Sequence, residues 1–271
     1  MAKAVFTKEG ARYARLDEDY FLLEKRRSLF IVRKELMASG FRKRLGNFWL
    51  MLDPLFYSMI YYFVFAVVRS NPSASSIIIG IGLMRVFQES FRAGSDSPKT
   101  FSGGLKAERI RTSVLVRSMV QSRILNTFFQ SFGLSLVLAL ALGMELAVSI
   151  YFLIICQIVA ILAQGIALNL SMLTRRIPDV SNAVRYFLIL YFYMSPALYP
   201  LSKTSGLHYK INSVNPFSFF VEWIRMIADL DSEYNNLDQS IFILLLAILS
   251  LVSIIGFRSV DKNRWVLSTW S

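Results

Sequence analysis

From Leu146 to Thr174 no charged residue interrupts the chain. A helix needs about 20 mostly apolar residues to cross the hydrocarbon of a bilayer, so this stretch alone points to a membrane. Runs of the same character recur at approximately 47–69, 76–94, 119–143, 184–201 and 239–258. With 147–173 they make six candidate crossings. Hydrophobic residues supply 55% of the 271 residues and aromatic residues 14%, more than a single soluble core requires. The sequence therefore reads as an all-α integral membrane protein.

The formal charge of +12 raises the alternative of nucleic-acid binding, and the positions of the cations decide against it. Lys and Arg crowd ahead of Phe48, between Arg85 and Arg123, at Arg175, Arg176 and Arg185, and at Arg258, Lys262 and Arg264. The alternate gaps hold Arg69, then no cation from Gly143 to Ser149, then the acidic stretch with Glu222, Asp229, Asp231, Glu233 and Asp238. Basic loops alternating with neutral or acidic ones follow the positive-inside rule. A nucleic-acid interface has no reason to be divided this way. Six crossings place both termini on the basic, cytosolic side of the cytoplasmic (inner) membrane, and the first forty residues are expected to carry no signal peptide. The domain organisation follows: a cytosolic segment 1–46, a membrane domain 47–258 and a cytosolic tail 259–271.

Ahead of the first run, Leu22, Leu29, Phe30, Val32, Arg33, Leu36 and Met37 suggest an amphipathic helix lying along the inner surface. Arg42, Lys43 and Arg44 then anchor the inner end of span one, with Phe48 and Trp49 in the aromatic belt. Asp53 and Pro54 stand inside that span. Pro54 is expected to break or bend the helix, with Asp53 either paired to a neighbouring cation or snorkelling to the headgroups. Span two carries Arg85, Glu89 and Arg92 on one helical face. Arg85 and Glu89 can pair at i,i+4 inside a bundle, unless the helix leaves the bilayer early. Between spans five and six, Pro216 to Ile227 is too apolar for an outer loop and too short to cross twice. A re-entrant or interfacial helix pair fits, with Asn215 and Pro216 starting the second helix. Cys156 and His208, each the single residue of its type, exclude an intrachain disulfide and a histidine cluster, and both are expected to be structural.

Three stretches in order resemble a known family. "RKRLGNFWLMLDPLF" resembles the approach to the first membrane helix of ABC-2-type exporters; "RRIPDVSNAVRYFLILYFYMSPALYPLS" resembles their cytosolic turn after helix four and the helix that follows; "NSVNPFSFFVEWIRMI" resembles their outer Asn-Pro segment followed by an acid and an Arg. The resemblance covers nearly the whole chain and is greatest to the branch that exports polysaccharides such as capsule, O-antigen or teichoic acid. It implies a permease acting as a homodimer, partnered by a separate cytosolic ATPase that holds ATP and Mg, and passing a lipid-linked glycan through the dimer centre. The segment "FSGGLKAERIRTSVLVRS" lacks the Pro often found ahead of helix three, and span two is unusually charged. An exporter of a drug or lipid, and a non-transport scaffold of glycan synthesis, stay open as alternatives.

No G-x-x-x-x-G-K-[ST] occurs, so this chain has no P-loop of its own and no cofactor is expected in it. It also shows no catalytic constellation. By the resemblance, Arg175, Arg176, Ile177, Pro178 and Asp179 form the turn that couples to the ATPase, and the segment from Glu24 to Arg44, Glu35 included, supplies a second surface. Tyr57, Tyr61 and Phe65 form an i,i+4,i+8 stripe with Tyr62 beside it, and span five adds Tyr186, Tyr191, Phe192 and Tyr193. Phenol hydroxyls in hydrocarbon need polar partners, so these rings are candidates either for a sugar-stacking pathway or for interhelical packing.

Overall fold

A computed structural model describes residues 4–7, 10–13, 18–40, 45–68, 73–97 and 112–262. A short antiparallel hairpin, β1 (Ala4–Thr7) and β2 (Gly10–Tyr13), precedes an otherwise helical chain. The helices are α1 (Glu18–Gly40), α2 (Trp49–Val68), α3 (Ala74–Ser95), α4 (Thr112–Leu136), α5 (Leu146–Leu168), α6 (Ser171–Arg176), α7 (Asp179–Met194), α8 (Gly206–Ser213), α9 (Pro216–Ile227) and α10 (Gln239–Lys262). A π-helical stretch, Val137–Ala141, extends α4. Arg42, Lys43, Arg44 and the side chain of Phe65 lie outside the described residues.

Three helical stretches among these residues are long and apolar enough to cross a membrane: Val114–Ala141, Leu146–Leu168 and Gln239–Val260. Two of the other expected crossings fall short of that criterion among the described residues. Arg85, Glu89 and Arg92 interrupt α3, and α7 has only 16 residues. The expected span 184–201 is also displaced. Its helix starts at Asp179 and stops at Met194, because Pro196 disfavours helical backbone at Ser195, whose φ and ψ are −85° and 158°.

The centre of the bundle is α3 packed on α5, flanked by α4 and α10, with α2 against α3 and α4. Ile79, Ile81, Leu83 and Met84 of α3 meet Leu134, Leu138, Phe152 and Ile155 in the apolar core. Two glycines let α5 and α10 touch: a Cβ on Gly256 would stand 1.8 Å from the Gly165 carbonyl oxygen. Close backbone approach through small residues, supported by polar side chains, is how helices associate where water supplies no drive. Asn169 reinforces the joint by donating Nδ2 to the Val252 carbonyl at 3.0 Å.

Two expectations near the start change. α2 runs unbroken through Pro54, which is buried inside it, and Ser58 Oγ donates to the Pro54 carbonyl at 2.9 Å. Asp53 is exposed and has no ion pair among the described residues. In α1 the apolar residues divide between two surroundings. Leu22, Leu29, Phe30 and Met37 are exposed, whereas Glu24, Ser28, Ile31 and Val32 are buried and α1 lies against α4. A helix beside lipid has two apolar-compatible surroundings, so hydrophobicity alone does not say which face meets protein.

Candidate functional site

At the N-terminus of α9, Asn215 caps the helix by accepting from the Phe217 N–H at 3.1 Å, with Pro216 in the first turn. The same oxygen accepts from the Tyr191 hydroxyl at 2.7 Å, joining α7 to α9. One turn further on, Glu222 and Arg225 form an ion pair of 2.8 Å with both side chains fully buried. The guanidinium also donates to the carbonyls of Pro196 at 2.8 Å, Tyr199 at 3.2 Å and Ser76 at 3.3 Å. Glu222 accepts from the backbone N–H of Leu201 at 3.1 Å and of Glu233 at 2.8 Å. The pair therefore knots α9 to the start of α3, the irregular exit of α7 and the acidic loop. Burial pulls the Arg225 pKa down, and the Glu222 carboxylate opposes that shift. Sequence reasoning noticed this acid and Arg only as part of a motif. Their i,i+3 spacing inside an apolar helix was the signal of a buried pair.

A second charged group lies among α1, α2, α3 and α4. Arg85 and Glu89 pair at 3.3 Å, and the Arg85 guanidinium carbon stands 3.9 Å from the centre of the Tyr57 ring, a cation–π contact. Gln130 of α4 donates to Glu89. Arg123, itself buried, donates to Ser90 Oγ at 3.3 Å. On the preceding residue, Ser122 Oγ donates to Glu35 of α1 at 2.7 Å. The structure thus places Glu35 against α4. Glu35, Ser122 and Arg123 line a cavity of about 100 Å³ together with Ser97, Asn126, Gln164, Ala93 and Met119.

The aromatic candidates separate into two sets. Tyr57, Tyr62, Tyr186 and Tyr193 are exposed along α2 and α7, Tyr186 at 66% and Tyr193 at 55%. Tyr61 and Tyr191 face inward. Tyr61 packs against Phe192 with ring centres 5.2 Å apart and interacts with Tyr193. Tyr191 sits among Phe87, Phe187 and Phe217. Its hydroxyl is already committed to Asn215, so it serves the joint between helices.

The turn between α6 and α7 is anchored from behind and open in front. Thr174 Oγ1 donates to the Ser95 carbonyl at 2.6 Å and Ser181 Oγ to Asp96 at 2.9 Å, tying the turn to the end of α3. Arg175 is half-buried, whereas Arg176, Ile177, Pro178 and Asp179 are exposed. Asp179 opens α7, where a carboxylate also interacts favourably with the helix dipole. That local role gives the acid a purpose that topology does not.

The model of the family described as ABC-2 type transporter matches residues 28–228, a stretch that takes in α2 to α9 and most of α1. No curated protein matches the chain.

Proposed function

This chain belongs to the ABC-2 type transporter family, and from that premise we propose that it is the permease of an ATP-driven exporter of a lipid-linked polysaccharide. It is a membrane component of a transporter and not itself the catalyst. In this reading a separate cytosolic ATPase binds ATP and Mg, two copies of this chain form the conduit, and the basic segments face the nucleotide. The chain crosses the inner membrane six times, through α2, α3, α4, α5, α7 and α10, with segments 1–46 and 259–271 in the cytosol and α8 and α9 as a re-entrant pair on the outer side.

The observation that carries the polysaccharide reading is the set of exposed phenols on α2 and α7. Tyr57, Tyr62, Tyr186 and Tyr193 present hydroxyls as well as rings, which suits a ligand with C–H faces and many hydroxyls better than a purely apolar cargo. Tyr61 and Tyr191 face inward on the same two helices, and Phe65 continues the Tyr57–Tyr61 stripe in sequence. A repeated sugar sliding over flat rings needs no single tight site. Coupling runs through Arg175, Arg176, Pro178 and Asp179, whose turn is exposed for a partner, and through α1.

The test is export in cells that supply the partner ATPase, comparing wild type with Tyr57, Tyr62 and Tyr193 all replaced by Ala. Glycan retained inside the variant cells, with normal membrane levels of the chain, supports the reading. Undiminished export removes these phenols from the pathway.

A further inference from the structure

The cavity between α1, α3, α4 and α5 contains polar groups that the protein leaves unused. Arg123 is 7% exposed, yet among the described residues its guanidinium has one hydrogen-bond partner, Ser90 Oγ. A guanidinium carries five N–H donors. Gln164 is 3% exposed, and its carboxamide oxygen is buried with no hydrogen-bond partner. Glu35 adds a carboxylate held by Ser122 at 2.7 Å. Buried polar groups are ordinarily satisfied, and each that is not calls for a ligand or a water.

The unused groups have a definite polarity. Arg123 asks for an anion with acceptor oxygens; the Gln164 oxygen and Glu35 ask for a cation with N–H donors. Glu89, shared between Arg85 and Gln130, also acts on Arg123 through its charge, but among the described residues no hydrogen bond or ion pair joins the two. The cavity measures about 100 Å³, room for several waters where one needs roughly 10–15 Å³. That is the scale of a small headgroup, far below that of a sugar polymer. It also lies near helix ends: Ala93 is in the last turn of α3, and Gln164 is about one turn from the end of α5.

We propose that this cavity is a site for the phosphoethanolamine headgroup of an inner-leaflet phospholipid. The phosphate sits on Arg123 and the ammonium is received by Glu35 and Gln164. The placement in the inner leaflet rests on the topology proposed above; the chemistry of the site does not. Phosphatidylcholine offers the same phosphate, but its quaternary ammonium has no N–H to donate. Phosphatidylglycerol offers phosphate and hydroxyls without the positive charge.

The experiment is lipid titration of the purified full-length chain in detergent, read by native mass spectrometry. It uses phosphatidylethanolamine, phosphatidylcholine and phosphatidylglycerol with identical acyl chains, and free phosphoethanolamine as the soluble source. Wild type is expected to hold phosphatidylethanolamine about tenfold more tightly than phosphatidylcholine, a difference of about 1.4 kcal/mol. Glu35→Gln and Gln164→Leu should each narrow that ratio without changing phosphatidylglycerol, and Arg123→Gln should weaken all three. Retention of free phosphoethanolamine at the level of the lipid would overturn the lipid source. Equal retention of phosphatidylethanolamine and phosphatidylcholine by wild type overturns the site, and this comparison needs no variant to fold. Discrimination unchanged in both Glu35→Gln and Gln164→Leu also overturns it. The measurement involves neither ATPase nor transport, so its failure and that of the exporter reading are separate results.

Discussion

Replacing Glu222 by Gln changes one oxygen to a nitrogen, keeps the volume and puts the buried joint around α9 to a quantitative test. The substitution leaves Arg225 charged, fully buried and without its counter-ion at 2.8 Å. It also turns an amide NH2 toward one of two backbone N–H groups, of Leu201 or Glu233, that the carboxylate accepts from. Removing one partner of a buried ion pair costs about 3–5 kcal/mol. At about 2–4 °C per kcal/mol for a domain of roughly this size, the expected loss is on the order of 10 °C in Tm. The readout is the monodisperse fraction of detergent-solubilised protein after heating, in wild type, Glu222→Gln, Arg225→Met and the double variant. The double variant should recover part of the loss seen in Arg225→Met, because no uncompensated charge remains. It should not reach wild type, since the carbonyls of Pro196, Tyr199 and Ser76 lose their donor at about 1–3 kcal/mol for each left buried and unpaired. A Glu222→Gln protein within about 2 °C of wild type, less than one kcal/mol on the same scale, would refute the claim that the pair holds this region together.

Asn215→Ala removes both the α9 cap and the acceptor for Tyr191; a loss of about 1–2 kcal/mol is expected from the cap alone, seen as a lower Tm that Asn215→Asp largely restores. Gly256→Leu places a side chain where even a Cβ stands 1.8 Å from the Gly165 oxygen, so aggregated or degraded protein is expected on size-exclusion chromatography. Leu251→Ala, on an exposed position of the same helix, should leave the profile unchanged. Asp179→Lys should let the partner ATPase hydrolyse ATP without export. Asp179→Asn, measured beside it for hydrolysis and export, keeps the helix start and should fall between the two.

The spans were legible where composition is one-sided. Nothing in α5 competes with its reading as one long apolar helix, although the helix stops at Leu168 and a second begins at Ser171, short of the expected end at 173, and α10 is equally plain. The Asn215–Pro216 start was legible for a different reason: the cap and the fixed φ of proline act locally, so sequence neighbours suffice. Misreading set in where lipid and protein compete for the same side chains. The apolar face of α1 was visible, but its burial partner was not, because Leu29 and Phe30 remain exposed while Glu24 and Ser28 are covered. Tyr191 failed to separate from Tyr193 for the same reason. The two lie two residues apart in one helix, and only the position of Asn215 twenty-four residues later makes one a structural hydroxyl. The cavity was beyond sequence reading altogether, since its lining comes from four helices whose spacing no local pattern records.

The two charged groups differ in how completely they are satisfied, and that difference assigns them different mechanical characters. Glu222 and Arg225 bond to each other and to five backbone groups from separate segments, with only Arg225 Nε left buried without a hydrogen-bond partner. Moving any one of those segments breaks several buried bonds together, so the region has one favourable arrangement. Around Arg85, Glu89 and Arg123 the bonds are fewer and incomplete. Arg85 Nε of α3, Thr127 Oγ1 and Gln130 Oε1 of α4 and Gln164 Oε1 of α5 are buried without hydrogen-bond partners, so a shift among these helices that supplied partners would be favoured rather than resisted. A machine that changes shape needs one part that does not yield and another whose alternatives lie close in energy. In this chain the first character fits the α9 knot and the second fits the polar groups that α3, α4 and α5 leave unpartnered.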